Sequence, residues 1–206
     1  MYILDHRPMQ PPLKSYVDDL PASVCPVIQR FAQIVERGVL DETRREEMMM
    51  PLIPRMLDTT ASVETQLERA FQILDWEVRK CAPAKIRVFE SLEEYAGFIE
   101  SSPPIIDSSR LDFMHSLADE IAQESRVSIV EPTDEYGWLW AMANDIKTTI
   151  AYAKRGYQDG LPLAMLGYVH AAPVLNVGVA MRNICLELQR QSCELLRHLC
   201  TVTATE

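Results

Sequence analysis

Apolar residues recur every three or four positions along most of the chain, and this spacing predicts amphipathic α-helices. The clearest stripe lies between residues 60 and 81 and extends over about five turns. Its apolar positions are Val63, Leu67, Ala70, Phe71, Leu74 and Val78. The stripe ends near Cys81-Ala-Pro83, because the residue before a proline disfavours helical backbone. We therefore expect one long helix in this region.

Two shorter helices are predicted before it. One begins after Ser23, which stands where a capping side chain is needed, and ends at Gly38. Asp41 is placed to cap the next, which runs to Met50 before the prolines that follow it interrupt the helix.

The rest of the chain predicts five more helices. Ser91 and Ser109 each stand three residues before an acidic residue, which is the capping-box spacing, and predict helices over residues 91–101 and 109–125. Thr133 is placed to open a long helix that Gly156 and Gly160 close, and a weaker apolar helix follows to about residue 172. The last helix follows Val174. Its apolar seam consists of Met181, Ile184, Leu188, Leu195 and Leu199. Residues 127–130 form a short β-branched run that we interpret as a connection between helices.

The chain as a whole predicts an all-α fold, an irregular bundle of seven or eight helices. Only 7 of the 206 residues are glycine, and the turn pairs that punctuate β-hairpins are scarce. Residues 1–20 contain three prolines without sustained periodicity, which predicts an extended N-terminal arm. With 48% hydrophobic residues, residues 21–206 are expected to form a single helical domain.

The sequence favours a cytoplasmic protein. No apolar run approaches the roughly 18 to 20 residues that span a bilayer, and the N-terminal residues lack the pattern of a signal peptide. Five scattered cysteines, an odd number, are typical of reduced thiols rather than of a disulfide framework.

The negative charge is concentrated in one segment. Residues 1–89 contain 13 acidic and 12 basic residues, and residues 136–206 contain 5 and 6. Residues 90–135 contain 12 acidic residues against two arginines, so this acidic segment carries the whole formal charge of −10. Clustered lysine and arginine dominate affinity for phosphate groups, so we expect no direct binding to nucleic acid or to an anionic membrane. The segment is either a solvated face, a surface for a basic partner, a mimic of nucleic acid or a cation site.

A weak metal-site pattern lies within the acidic segment. Asp112, His115 and Asp119 are three and four residues apart and therefore share one helix face. Glu194 and His198 on the last helix have a similar spacing. Metal sites in helical bundles use carboxylate and histidine in this way, but they use more of them. Ion pairing on an exposed helix face explains the same residues, and we expect no cofactor.

Aromatic residues cluster near the start of the predicted long helix. Tyr136, Trp138 and Trp140 are candidates for a contact surface, since aromatic side chains are enriched at interfaces. The two tryptophans are two residues apart and so face different ways on a helix. We expect one to line the core and the other to face a groove or a partner.

A set of short motifs resembles a group of uncharacterised bacterial helical proteins. The motifs are Cys25-Pro-Val-Ile28, Pro51-Leu-Ile-Pro-Arg55 with Asp58-Thr59, Asp75-Trp-Glu-Val-Arg79, Ala82-Pro-Ala84 and Pro103-Pro104-Ile105. The group carries Pro-Arg-Leu-x-Gly-Thr, then Asp-Trp-x-x-Arg, then Ala-Pro-Ala-Trp-Leu, and the resemblance covers residues 23–106. The chain departs from it at Asp58, where the group tends to have glycine, and at Lys85-Ile86, where it has Trp-Leu. The resemblance implies no activity and transfers no functional residue.

Asp75, Trp76 and Arg79 are the candidates for a ligand-binding site. The aspartate and the arginine are four residues apart and can pair, and the indole lies beside them. A structural latch between this helix and the turn at Pro83 is the favoured explanation of the same residues, and ligand binding is the alternative. The sequence carries no catalytic signature, so we expect a binding or regulatory module that contacts a protein partner or a second copy of itself. The alternatives are a small enzyme or small-molecule binder with a site in the bundle core, and an acidic nucleic-acid mimic.

Overall fold

The computed structural model describes residues 15–39, 41–128, 135–169 and 179–202. These residues form an all-α fold without a β-strand, as the periodicity predicts. The helices are α1 (Pro26–Arg37), α2 (Glu42–Met49), α3 (Ile53–Met56), α4 (Val63–Trp76), α5 (Ala82–Ile86), α6 (Glu93–Ser101), α7 (Ser108–Ser128), α8 (Glu135–Gln158), α9 (Pro162–Met165) and α10 (Val179–Leu199). A π-helical turn (Glu77–Cys81) joins α4 to α5, and a 3-10 turn (Glu90–Leu92) precedes α6.

One cluster of buried apolar side chains runs from Val17 to Leu199 and connects the described helices. The most extensive helix packing joins α7 to α8, and α8 in turn packs on α9. Helix α1 contacts α4, α9 and α10. Within the described residues, no helix combines the length and the apolar character that a bilayer crossing requires.

The ends of α1 and α2 follow the local sequence. Asp41 caps α2 as predicted, because its carboxylate accepts a hydrogen bond from the backbone N–H of Arg44 at 2.7 Å. The predicted cap of α1 is wrong: Cys25, not Ser23, occupies the capping position, and its side chain makes no capping bond. Pro26 occupies the first turn, where its missing N–H costs nothing.

The predicted capping boxes of α6 and α7 are also wrong. The Ser91 hydroxyl donates to the carboxylate of Glu135 instead of capping α6. Helix α7 begins at Ser108, so Ser109 lies inside it, and Asp107 accepts the hydrogen bond from the backbone N–H of Arg110 at 3.0 Å. Helix α7 also continues through Ser128, while residues 129–134, including the predicted cap Thr133, lie outside the described residues.

The end of the predicted arm packs against α1. The backbone N–H of Tyr16 and the hydroxyl of Ser15 donate to the buried carboxylate of Glu36, at 2.6 and 2.7 Å. Val17 is fully buried. Residues 15–20 are therefore anchored to the bundle, and residues 1–14 of the predicted arm lie outside the described residues.

Asp58 adopts a φ of 58°, in the left-handed region. It is the one described non-glycine residue with a positive φ. Aspartate tolerates this backbone better than most residues, and glycine adopts it without strain.

The π-helical turn places a buried ion pair behind α4. Lys85 Nζ lies 3.5 Å from Glu77 Oε1, and each side chain is 10% exposed. Burial by itself would lower the pKa of Lys85, but the Glu77 carboxylate and the Cys81 side chain overcome this effect and raise the pKa. The backbone carbonyl of Lys85 also accepts a hydrogen bond from Trp138 Nε1 at 3.1 Å, which ties α5 to α8.

Candidate functional site

A cavity of about 730 Å³ lies along α4. We call it the α4 pocket. Its second wall comes from α10, and its ends come from the loop between α6 and α7 and from the last turn of α8. The lining residues are Glu64, Leu67, Glu68, Phe71, Gln72, Asp75, Trp76, Lys80, Pro104, Ile105, Ile106, Tyr157, Leu195 and His198.

The spacing of residues along α4 explains why one helix faces both a core and a pocket. The pocket residues of α4 follow each other at intervals of one, three and four positions from Glu64 to Trp76, which places them along one side of the helix. Ala70, Ile73 and Leu74 lie on the other side and are fully buried. Both sides carry apolar residues, so α4 buries one side in the bundle and presents the other to the cavity.

Asp75 holds one wall of the pocket in place. Its carboxylate accepts two hydrogen bonds from Arg79 Nη1, at 3.1 and 3.2 Å, and one from the backbone N–H of Ile105 at 2.8 Å. Arg79 Nη2 donates in turn to the backbone carbonyl of Glu100 at 3.2 Å. The predicted pair of Asp75 and Arg79 therefore exists, and it fastens the loop after α6 to α4.

The charged rim at this end of the pocket is internally paired. Lys80 Nζ lies 3.0 Å from Glu100 Oε1, and Arg87 Nη2 lies 2.7 Å from Glu100 Oε2. Hydrogen bonds from Lys80 and Arg87 lower the pKa of Glu100. Lys80 is the one lysine or arginine among the lining residues, and Glu100 already occupies it.

Two buried polar atoms of pocket-lining residues have no hydrogen-bond partner among the described residues. Trp76 is 8% exposed, and its indole Nε1 is buried without an acceptor. Gln72 lies one turn earlier on α4, and its Oε1 is buried without a donor. A buried polar group without a partner costs about 1 to 3 kcal/mol. Both atoms lie behind the cavity surface, because neither has exposed surface of its own.

Aromatic rings form much of the apolar lining. Phe71 of α4 and Tyr157 of α8 pack with ring centroids 5.6 Å apart. Trp76 packs edge-on against Phe31 of α1, with centroids 6.0 Å apart. The guanidinium of Arg79 is engaged by Asp75 and Glu100. The indole of Trp76 therefore packs on the ring of Phe31 rather than on this guanidinium.

Two of the three candidate metal ligands on α7 form ion pairs with α8. Asp112 pairs with Lys154 and Asp119 pairs with Lys147, and both lysines belong to α8. The hydrogen bond from Lys147 is the main cause that lowers the pKa of Asp119. The described residues hold no group of three or more potential ligands placed for a metal ion. His115 lies apart from the α4 pocket and lines a shallow depression with residues of α8.

The candidate interface aromatics divide as their spacing predicts. Tyr136 and Trp138 are half-buried and pack against the core, whereas Trp140 is 42% exposed. They therefore do not form one exposed surface. Among the aromatic residues that line the α4 pocket, Tyr157 is the exposed one, at 37%.

Several pocket residues were not predicted. Phe71 and Leu67 carry the core periodicity, so nothing in the sequence distinguishes their side of α4 from the buried side. Ile105, Tyr157 and Leu195 come from three other segments, and only tertiary packing brings them to the pocket.

The comparisons with known proteins add no relative. The chain matches no protein-family model, no curated protein and no solved structure. The function proposed below therefore rests on the geometry of the α4 pocket.

Proposed function

We propose that this protein is a binding module whose α4 pocket takes a small, mainly apolar organic molecule. The observation that carries the proposal is the cavity of about 730 Å³ beside α4, whose lining includes Leu67, Phe71, Trp76, Tyr157 and Leu195. Ligand sites commonly have volumes of about 300 to 1,000 Å³ and combine apolar walls with a few polar groups. The pocket has this size and this composition.

The chemistry of the ligand follows from the lining. Phe71, Tyr157 and Leu195 favour an aromatic or branched apolar body.

Nuclear magnetic resonance of the indole N–H groups tests this proposal. The chain has three tryptophans, so a ¹⁵N-labelled sample gives three indole signals, which single Trp-to-Phe variants assign. We expect 1-naphthylmethanol to shift the Trp76 signal with a Kd of about 1 mM or tighter, from the usual energy per ligand atom. The signal of Trp138, which already donates to Lys85, should remain in place. The proposal would be contradicted if the Trp76 signal did not move at the highest concentration of 1-naphthylmethanol that stays in solution.

A matched pair of variants locates the site. Leu67→Arg places a charged group in the pocket wall and should abolish the shift, whereas Leu163→Arg, at a 47% exposed leucine of α9 outside the pocket, should retain it. Circular dichroism of both variants establishes that the helices are intact. Equal loss of the shift in the two variants would place the probe elsewhere.

A second candidate function is contact with a protein, as the sequence analysis proposes. The observation that favours it is the length of the pocket, because its lining extends from Glu64 to Lys80, about 24 Å along a helical path. Ile106 at the pocket edge is 67% exposed. A trough of this length fits the apolar face of an amphipathic helix. In that case Leu67→Arg would abolish capture of the partner while 1-naphthylmethanol left the Trp76 signal unchanged.

A further inference from the structure

Acidic residues outnumber lysine and arginine at the α4 pocket when the residues that pair with each other are not counted. Asp75 is occupied by Arg79, and Lys80 is occupied by Glu100. Glu64 and Glu68 also line the pocket, and neither forms an ion pair with a described residue. The unpaired formal charge at the rim is therefore negative.

The two carboxylates lie together on one flank. Glu64 and Glu68 are four residues apart on α4, so their side chains project from neighbouring turns of the same face. Both side chains are exposed at the mouth of the pocket. The apolar lining begins with Leu67, which lies between them in the sequence, and Phe71, which follows them. The backbone N–H of Glu64 and the hydroxyl of Ser62 lower the pKa of Glu64, so its side chain is charged at neutral pH.

The aromatic lining also favours a positively charged ligand. The faces of Phe71, Trp76 and Tyr157 carry the negative part of the ring quadrupole, and three such rings line this pocket. Rings of this kind recognise ammonium groups, most strongly when acidic side chains stand beside them. The aromatic rings and the acidic rim thus favour one class of ligand.

We infer that the natural ligand of the α4 pocket carries a positively charged amine on its apolar body, recognised by Glu64 and Glu68. This inference rests on the proposed function, because it names the chemical class of ligand for the same pocket. It excludes carboxylates and phosphates of similar size, which the rim repels.

Three probes with the same naphthalene body test the inference. At pH 7, 1-naphthylmethylamine is a cation, 1-naphthylmethanol is neutral and 1-naphthoate is an anion. We expect the amine to bind about five- to twentyfold more tightly than the alcohol, since each exposed carboxylate contributes about a two- to fivefold preference. The naphthoate should bind more weakly than the alcohol. The preference for the amine should shrink in 0.5 M NaCl because the rim charges are exposed to solvent.

Variants assign the preference to the rim. Glu64→Gln and Glu68→Gln should each reduce the affinity for the amine about two- to fivefold and leave that for the alcohol unchanged. Glu120→Gln is the matched control, since Glu120 is exposed on α7, lies outside the pocket and makes no ion pair with a described residue. It should change neither affinity.

The outcomes separate the two proposals. If the alcohol binds and the amine binds no more tightly, the cationic ligand is wrong and the pocket function stands. If no probe shifts the Trp76 signal, both are wrong. The third outcome is that the amine binds more tightly than the alcohol, but Glu120→Gln weakens amine binding as much as Glu68→Gln does. In that case the preference comes from the overall charge of −10 and the inference is wrong.

Discussion

Replacement of Lys85 by methionine should destabilise the protein strongly. The variant retains the apolar stem of the lysine but removes the ammonium group 3.5 Å from Glu77 Oε1. Glu77 would remain 7% exposed with a charge that nothing compensates, and its Oε2 already lacks a hydrogen-bond partner. Removal of one member of a buried ion pair costs about 3 to 5 kcal/mol.

An exposed pair of the same chemistry gives the control. Lys80 Nζ lies 3.0 Å from Glu100 Oε1, but the two side chains are 50% and 35% exposed. Lys80→Met should therefore cost less than about 1 kcal/mol, because water replaces the lost partner. The nitrogen–oxygen distance is shorter in this exposed pair, so burial rather than distance should set the order of the two effects.

Urea unfolding followed by far-ultraviolet circular dichroism measures both free energies by linear extrapolation. The single variant Glu77→Gln and the double variant Glu77→Gln with Lys85→Met complete the cycle. The double variant should be more stable than Lys85→Met alone because no buried charge is left without a partner. A cost of Lys85→Met no greater than that of Lys80→Met would contradict the dominant effect of burial. So would a double variant whose loss of unfolding free energy, relative to the unchanged protein, equals the sum of the losses in Glu77→Gln and Lys85→Met.

Two further predictions concern the pocket wall and a buried thiol. Asp75→Asn removes the ion pair with Arg79 and should cost about 1 to 2 kcal/mol in urea unfolding, whereas Asp159→Asn, at an exposed pair of the same spacing, should cost less than about 0.5 kcal/mol; equal costs would rule out the latch. Burial raises the pKa of the Cys200 thiol from 9.0 to about 11, so mass spectrometry should show it alkylated by iodoacetamide at pH 8 about a hundredfold more slowly in the folded than in the unfolded protein. The unfolded chain loses this proton near pH 9 and the folded chain near pH 11, so this thiol lowers the free energy of unfolding as the pH rises through that interval; alkylation at the unfolded rate would contradict both statements.

The position of α4 could be predicted from the sequence, but the pocket beside it could not. The stripe from Val63 to Val78 marks an amphipathic helix wherever it packs. It does not show which part of the apolar surface neighbouring helices leave uncovered. That depends on where Tyr157 and Leu195 lie, and both are at least 79 residues beyond Val78 in the chain.

Local capping patterns failed where a distant side chain offered a better partner. Ser91 has the spacing of a capping box, yet its hydroxyl bonds Glu135 across the fold. Gly156 illustrates a related difficulty. It was expected to close α8, but it lies inside the helix, where a Cβ atom would stand 2.4 Å from the backbone nitrogen of Met165. Its function is to admit α9 closely, and Gly160, with a φ of 65°, follows the end of α8 as predicted.

Some of the candidate residues named from the sequence lie at the α4 pocket. Asp75 and Trp76 do line the pocket, and Arg79 acts behind it by holding Asp75. The acidic residues Asp112 and Asp119 serve α7 and α8 packing through their lysine partners. Spacing along a helix predicts which side chains share a face, whereas the partner on the opposing helix decides what they do.

A crystal structure of the protein grown with 1-naphthylmethylamine tests the α4 pocket and its cationic ligand most directly. We expect the naphthalene ring in the α4 pocket, in contact with Phe71 and Trp76, and the amine within 4 Å of the carboxylate of Glu64 or Glu68. A pocket filled by the protein's own side chains, or a probe bound elsewhere on the bundle, would contradict this expectation.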